Sequence, residues 1–597
     1  MVYNPTPINN SNIFNALVKT IKHYLNQEIS SALASCSETD GADANVVTAS
    51  RPEFGDYQAN GIMAVAKKIK TNPRELAQKV IEYLHDNSIE LIKDLEVAGP
   101  GFINIRLSDE SLLARANNII AGKTLLIPKT NTPKKIVIDY SSPNLAKEMH
   151  VGHLRGTIIG DSLVRVMEKQ GHEVIRQNHV GDWGTQFGML ISFLQELRDK
   201  SSEPIPKELS DLEEFYTSAK NRFDNDNSFA DASRQAVVEL QSGNQSSKKI
   251  WAQFIETSLQ HCDEIYKKLN VTLSRDDLDA ESRYNDDLEN IINELEVKEL
   301  ISESDGAKCV FLPAFIGKDG KQLPVIIQKS DGGFLYSTTD LAAIKLRSQD
   351  IKADRALYVV DARQSLHFQQ VFAVAKTSGI ASKKISLEHI AYGTMMGDDG
   401  RPFRTRTGGT VKLIELLDES INRAYDLVTE KNPKLEEDIR LKIAEKIGIA
   451  AVKYSDLSKS RISDYVFDWS TMLSFEGNTA PYLMYAYARI KSILNKAEAN
   501  RSNDKILLLT SPEERLLLIK ILQFSETVNT VSLECYPNLL CNYLYELSGL
   551  FMRFYELCPI LKAEETIKFS RLALCGLASS TLNEGLNLLG IETLEKM

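Results

Sequence analysis

The sequence predicts a multidomain α/β protein: a parallel sheet interleaved with helices, preceded by a small α+β domain and followed by an all-α domain. Three observations point there. At 597 residues the chain is longer than one hydrophobic core serves, so three or four domains are expected. Short apolar runs alternate with helical periodicity between residues 136 and 176, at the spacing of a βαβ unit. From about Leu413 to the end, nearly all apolar residues recur at helical spacing.

Residues 1–115 form the first domain. Ile13, Leu17, Ile21 and Leu25 recur every four residues, as on one face of a helix. A turn-rich stretch, Arg51 to Tyr57, follows. Pro73 suits the first turn of a further helix, and Gly99 to Arg106 reads as a turn entering a strand. Residues 116–135 are expected as a linker, with two prolines between Ile127 and Lys135. Residues 136–412 form the sheet domain. Ile136 to Tyr140 is a buried-strand run, the Ser141-Ser142-Pro143-Asn144 break ends it, and Leu154, Ile158, Leu163 and Val166 mark a helix. Glu173 to Arg176, Leu357 to Val360 and Ile390 to Thr394 read as further strands. Within this domain residues 195–305 look like a polar helical insertion. Asp276 to Glu303 holds eleven acidic residues against two basic ones, the pattern of a solvated surface. Residues 413–597 are the all-α domain.

Bulk composition narrows the function classes. A net charge of −11 argues against a nucleic-acid coat protein, although a local basic patch can still bind RNA. Seven cysteines lie scattered without a Cys-x-x-Cys pair, so no structural zinc is expected, and a reducing, cytosolic setting is. Residues Met1 to Asn12 lack a basic flank leading into an apolar run, so no secretory signal is expected. No stretch reads as the roughly 18 apolar residues that span a bilayer.

His150-Val151-Gly152-His153 sits where a strand hands over to a helix. Unpaired backbone N–H groups and the positive helix end favour phosphate there. Gly152 lets a nucleotide approach the backbone, and two imidazoles add donors. Lys147, three residues upstream, brings a cation to the same place. No arrangement suggesting a Ser-His-Asp triad or general base accompanies them.

The string from Ser141 to Arg155 resembles the HIGH signature of class I aminoacyl-tRNA synthetases, in the form carried by the arginyl-tRNA synthetase family. Asn178 to Gly184, Gly397 to Thr410, Ala480 to Arg489 and, in the first domain, Arg51 to Asn60 agree with the same family in order. The resemblance implies a Rossmann-like catalytic domain, an anticodon-binding helical domain and a two-step reaction. Arginine and ATP, expected with Mg2+, give arginyl-adenylate, and the aminoacyl group then moves to the 3′ end of tRNA. The nucleophile of the first step is an ionised carboxylate, so orientation and charge stabilisation are what the protein supplies.

Residue roles follow from the resemblance. Lys147, His150 and His153 are the catalytic set, and His150, Gly152, His153 and His367 are placed near ATP. Asp139, Asn144, Tyr336, Asp340 and Gln364 are placed on arginine. Tyr336 and Asp340 lie one helical turn apart, and a carboxylate suits the planar guanidinium fork. The Lys-Met-Ser-Lys-Ser signature of class I enzymes is missing: a basic loop with Arg401, Arg404, Arg406 and Lys412 stands in its place, and Lys147 takes over the lost cationic duty. Phe54 and Asn60 are expected at the tRNA elbow, and Tyr485 and Arg489 near the anticodon. The C-terminal aromatics Tyr482, Tyr485, Tyr487, Tyr543, Tyr545, Phe551, Phe554 and Tyr555 fit a helix core better than a base platform. A monomer that uses no membrane is expected. Competing readings are another class I synthetase, a non-catalytic tRNA-binding paralogue, and a nucleotidyltransferase outside translation.

Overall fold

The computed structural model describes residues 19–596, apart from 88, 125, 201–211, 405–410 and 498–504. Ile13 and Leu17, expected on the first helix, and Arg406 lie outside the described residues. Helix α1 (Ile21–Ser37), with α2 (Ile62–Ile69) and α3 (Pro73–Asp86), packs on a four-stranded antiparallel sheet. Its order is β1 (Val46–Thr48), β2 (Tyr57–Ala59), β4 (Phe102–Leu107), β3 (Ile92–Ala98). The Asn72 side chain accepts the Arg74 N–H and Pro73 occupies the first turn, which fixes the start of α3. Helix α4 (Asp109–Ile120), capped by Ser108, runs through residue 116, where the linker was expected to begin.

The central sheet is parallel throughout, in the order β11-β10-β5-β6, with β5 (Lys135–Asp139), β6 (Glu173–Gln177), β10 (Arg355–Tyr358) and β11 (Ser386–His389). The edge strand lies four residues before the expected Ile390 to Thr394. Past His389 the Ile390 N–H still bonds to the Tyr358 carbonyl, but the strand proper has ended. Helix α5 (Gly152–Lys169) joins β5 to β6. A Cβ on Gly160 would fall 2.3 Å from the Tyr140 side chain, so glycine lets this helix lie directly against the sheet. Arg155, Thr157, Asp161 and Ser162 of α5 are buried because the C-terminal helices cover its outer face.

The insertion begins with helices α6 (Thr185–Lys200), α7 (Leu212–Asn225), α8 (Asn227–Gln241), α9 (Gln245–Lys268) and α10 (Leu288–Val297). A three-stranded antiparallel sheet then follows that the sequence reading missed: β7 (Ile301–Ser304), β8 (Ala307–Ile316), β9 (Gln322–Gln328). The acidic stretch is not simply a solvated face. Asp279 is 1% exposed and Glu281 is half-buried, both turned toward the sheet domain. Helix α11 (Tyr336–Lys345) passes into one π turn, Leu346–Asp350, which carries Arg347 inward; α12 (Ser365–Ser378) follows.

The remaining helices are α13 (Leu413–Lys431), α14 (Glu437–Leu457), α15 (Trp469–Met472), α16 (Ala480–Lys496), α17 (Pro512–Leu522), α18 (Phe524–Glu534), α19 (Asn538–Leu557) and α20 (Glu565–Leu588). Strand β13 (Tyr465–Val466) returns to pair in parallel with β12 (Met395–Met396), so main-chain pairing crosses the expected boundary at 413. The buried pair Arg155–Asp456, 3.0 Å apart, ties α5 to α14. Arg515 on α17 grips Asp56 with both terminal nitrogens and Asp109 with Nε, which holds the N-terminal unit to the helical bundle. One run, Pro512–Glu534, is long and apolar enough to cross a membrane by length and composition alone, and most of its apolar window is buried in the bundle as helices α17 and α18.

Candidate active site

The site forms where β5 ends. Ser141 and Ser142 both take left-handed backbone angles, φ 71° and 45°, a conformation that costs non-glycine residues of order 1–3 kcal/mol each. Hydrogen bonds hold them there. Ser142 Oγ donates to Asp139 Oδ1 at 2.9 Å, the Ser142 N–H donates to Asn178 Oδ1 at 2.9 Å, and Ser141 Oγ meets the Tyr266 hydroxyl at 2.7 Å. The sharp turn swings Asn144 against Gly181, where a Cβ would approach Asn144 Oδ1 to 2.8 Å. The Asn178 to Gly184 segment thus forms the floor under the turn.

At the start of α5 the two histidine rings lie 4.0 Å apart. The His150 N–H donates to His153 Nδ1 at 3.1 Å, and the Gly152 N–H donates to His150 Nδ1 at 3.0 Å. Each Nδ1 is therefore an acceptor, which assigns the ring proton of both neutral histidines to Nε2. Burial pushes His153 down to about 3, with His150 and Lys147 adding to it; burial, Lys147 and Arg363 lower His150 as well. Both rings are thus neutral Nε2–H donors at pH 7. Gly152 is required for a second reason: a Cβ there would lie 2.7 Å from the His150 ring.

Beside this turn opens a cavity of about 250 Å3, with His150, Gly152, Asp361, Arg363, Tyr392 and Arg404 among its walls. Arg404, of the basic loop, reaches it; Arg401 does not line it. Lys412 is not free for it, since its Nζ pairs with Glu148 at 3.1 Å. The backbone around Lys412 pairs with the histidine turn itself: the Val151 N–H bonds to the Val411 carbonyl and the Leu413 N–H to the Met149 carbonyl. Lys147 turns its ammonium onto the Tyr216 ring of α7, 4.2 Å from the centroid, while its field still reaches both histidines.

A second, acidic group gathers around Asp340 and Asp139, the last residue of β5. Asp340 Oδ2 meets His367 Nε2 at 2.6 Å, which links His367, expected near the nucleotide, to Asp340, expected on arginine. Tyr336 stands 66% exposed at the mouth and Gln364 is exposed ahead of α12. Asp139 has both oxygens engaged, one by Ser142 and the other by Arg347 Nη2 at 2.9 Å. Arg347, 1% exposed, also bonds Gln177 Oε1 and stacks on Tyr358, with Asp279 Oδ2 3.6 Å away.

Sequence reasoning missed four members of this group: Arg347, His179, Asp279 and Glu281. Burial disfavours the His179 cation, but Asp279, Asp139 and Asp340 outweigh it and raise the ring to about 9. Asp279 is pulled down to about 2 against its burial by His179, Arg347 and the Tyr284 hydroxyl. Glu281 is pushed up to about 7 by burial, with Asp182 and Asp340 adding to the rise and His179 opposing it. Among the described residues the Glu281 carboxylate has no hydrogen-bond or ion-pair partner. A free carboxylate facing Asp340 is what a cationic side chain would complete.

Of the residues expected on tRNA, Phe54 is 37% exposed, and Asn60 is half-buried with its Oδ1 lacking a partner. Arg489 lies over the rings of Tyr485 and Tyr555, 4.9 and 5.1 Å from their centroids, and donates to the Tyr485 hydroxyl. Tyr487, Tyr543, Phe551 and Phe554 are core, Tyr482 and Tyr485 are half-buried, and Tyr545 and Tyr555, expected in the core, are exposed.

Comparison with known proteins covers the whole described chain. Residues 19–107 match the arginyl-tRNA synthetase N-terminal domain, 115–469 the catalytic domain of class I (R) tRNA synthetases, and 483–597 the DALR anticodon-binding domain. The arginine–tRNA ligases of Hahella chejuensis and Laribacter hongkongensis are 52% and 53% identical over 578 residues, spanning 97% of this chain and all of each relative. The arginyl-tRNA synthetase structures from Plasmodium falciparum and Thermus thermophilus superpose with TM-scores of 0.84 and 0.78, at 29% and 26% identity, over 97% of this chain and all of theirs. A strained turn bearing two neutral histidines, an adjoining cavity and an acidic pocket therefore occur in a chain that belongs to the arginyl-tRNA synthetase family.

Proposed function

We propose that this chain, an ATP-dependent arginine–tRNA ligase, works by pure positioning and charge stabilisation, with the histidine turn on the phosphates and the acidic pocket on the arginine guanidinium. The observation that carries this is the pair of His150 and His153 donors at the start of α5, together with the unpaired Glu281 carboxylate that feels Asp340. In the first step the arginine carboxylate attacks the α-phosphorus of ATP, and the bond to the pyrophosphate oxygen breaks. His150 and His153 offer their Nε2–H groups to oxygens that gain charge, without giving up a proton. Lys147 and Arg404 supply fixed positive charge nearby. In the second step a terminal ribose hydroxyl of tRNA attacks the carbonyl carbon and AMP leaves.

Arginine would lie with its guanidinium between Asp340 and Glu281, beside Tyr336 and within reach of Gln364. Asn144 serves the α-amino or carboxylate end, and Asp139, held by Arg347, serves it through its remaining lone pairs. A lysine ammonium would leave part of that acceptor array unpaired, and sites of this kind discriminate by about 10⁴–10⁵. Mg2+ would arrive on the ATP phosphates, which suits its preference for phosphate and water. Among the described residues no three His, Cys, Asp or Glu side chains form a cage for it. Phe54 and Asn60 are assigned to the tRNA elbow, and Tyr485 and Arg489 to the anticodon side. We place the enzyme in the cytoplasm as a monomer away from membranes, in keeping with its seven free cysteines.

Arginine-dependent exchange of pyrophosphate into ATP, with and without tRNA, tests the reading. Aminoacylation of purified tRNA by each amino acid accompanies it. Charging by another amino acid in preference to arginine would overturn the pocket assignment.

A further inference from the structure

A second cleft, of about 400 Å3, lies at the opposite end of the central sheet from the histidine turn. Its walls come from the residues just before β5 and β6, the first residue of β10, the start of the N-terminal unit and α18. Strands of five residues separate it from the active site by about 15 Å. The lining is one-sided in charge. Lys19, Lys129 and Lys134 face it together with His23, His172 and Arg355, and among the described residues no acidic one lines it.

The nearby acids are already engaged. Glu388 holds Arg355 through both oxygens at 2.9 and 2.8 Å, and Glu173 pairs with Lys135. Among the described residues Lys129 and Lys134 have no acidic partner, and Lys19 donates only to the neutral Gln27 amide. Three lysines thus line one cleft without a direct ion pair, although the Glu388 carboxylate that holds Arg355 also feels Lys134. His172 Nδ1 accepts the Lys134 N–H at 3.0 Å, so the neutral ring carries its proton on Nε2 as a further donor. Burial, with Arg355 and Lys134 adding to it, lowers this ring and keeps it neutral. Hydroxyls of Thr20, Thr130 and Ser532 supply neutral donors. Gln170, 5% exposed on the wall, leaves its Oε1 without a partner.

We propose that this cleft binds a small anion bearing phosphate groups. Several unpaired lysines in one recess suit a ligand of two or more negative charges, and lysine serves phosphate as a point charge. The volume lies in the range of small-molecule sites and is far too small for duplex RNA. Such a ligand touches the N-terminal unit, the linker and α18 at once. Its binding therefore fastens the domain that precedes the sheet to the bundle that follows it.

Inorganic pyrophosphate is the probe, titrated calorimetrically into the full-length enzyme after the active site is filled with arginine and a non-hydrolysable ATP analogue. One further equivalent of pyrophosphate is expected to bind, and amides of 19–23 and 128–134 gain protection from hydrogen exchange. Each of Lys129→Ala and Lys134→Ala weakens that binding by about tenfold or more, while aminoacylation without added pyrophosphate is unchanged. Lys134→Gln, which keeps the side-chain length, weakens it too. No binding to the blocked enzyme overturns the proposal, as does equal affinity in the lysine variants. A rise in tRNA KM in those variants, with no pyrophosphate bound by the parent enzyme, also overturns it and makes the cleft a nucleic-acid contact.

Discussion

Replacing Glu281 with glutamine separates charge from shape in the arginine pocket. With its carboxyl near 7 in the empty site, only the ionised fraction is ready to receive a guanidinium. The sign is fixed: the protonated form prevails below 7, so arginine affinity falls as pH falls. For this pKa the weakening is about 11-fold at pH 6, about 2-fold at pH 7 and about 1.1-fold at pH 8. The KM for arginine in pyrophosphate exchange should thus drop about fivefold from pH 6 to 7 and about twofold more by pH 8. Neither His153, near 3, nor His179, near 9, titrates in that window. Glu281→Gln should remove the pH dependence and raise KM at pH 8 by about 30-fold or more, since losing one partner of a buried charge pair costs about 2–5 kcal/mol. The comparison also separates Glu281 from His367, which shares the pocket through Asp340. A flat KM in the parent enzyme, or an undiminished slope in Glu281→Gln, would refute the reasoning.

His150→Ala and His153→Ala should each slow pyrophosphate exchange by about 10²–10³-fold, for His153 equally at pH 6 and pH 8 because its ring, near 3, is neutral at both; a loss in His153→Ala confined to one side of pH 6.5 would contradict the donor assignment. Asp340→Asn should raise the arginine KM while leaving the ATP KM near its starting value, and Lys147→Ala should slow exchange at saturating arginine; single-turnover adenylate formation distinguishes the two. Arg347→Met should destabilise the fold by about 3–5 kcal/mol, because Asp139 and Asp279 lose a buried cation, seen as a lower denaturation midpoint in urea even when arginine is absent.

Much of this was legible in the sequence because it is local. The strand-turn-helix around His150 announces itself by its apolar run, its Pro143-Asn144 break and its helical period. Tyr336 and Asp340 need only a helical turn to share a face. What was not legible depends on distance along the chain. Glu281 and Asp279 sit in an acidic stretch whose composition reads as solvated, and only packing against β5 and α11 turns them inward. Arg347 looks like any surface arginine until the π turn rotates it toward Asp139, 208 residues away. Strands β7 to β9 were lost inside a region dominated by helical signals. The edge strand β11 was displaced because Ser386 to His389 is polar, whereas the apolar residues just beyond it look more like a strand.

The main-chain stitch between Met149–Val151 and Val411–Leu413 has a consequence for how this molecule comes apart. A fragment ending at 412 would keep the bond from Val151 to Val411, lose the one from Leu413 to Met149, and leave α5 open along the face that α14 covers. The return of β13 to β12 puts a second tie past the same point. Split proteins, tags and circular permutants are thus better cut after α15, near residues 473–479, than at the apparent onset of the helical third. Cut there, the two histidines should keep the backbone that aims them, even with the bundle supplied as a separate chain.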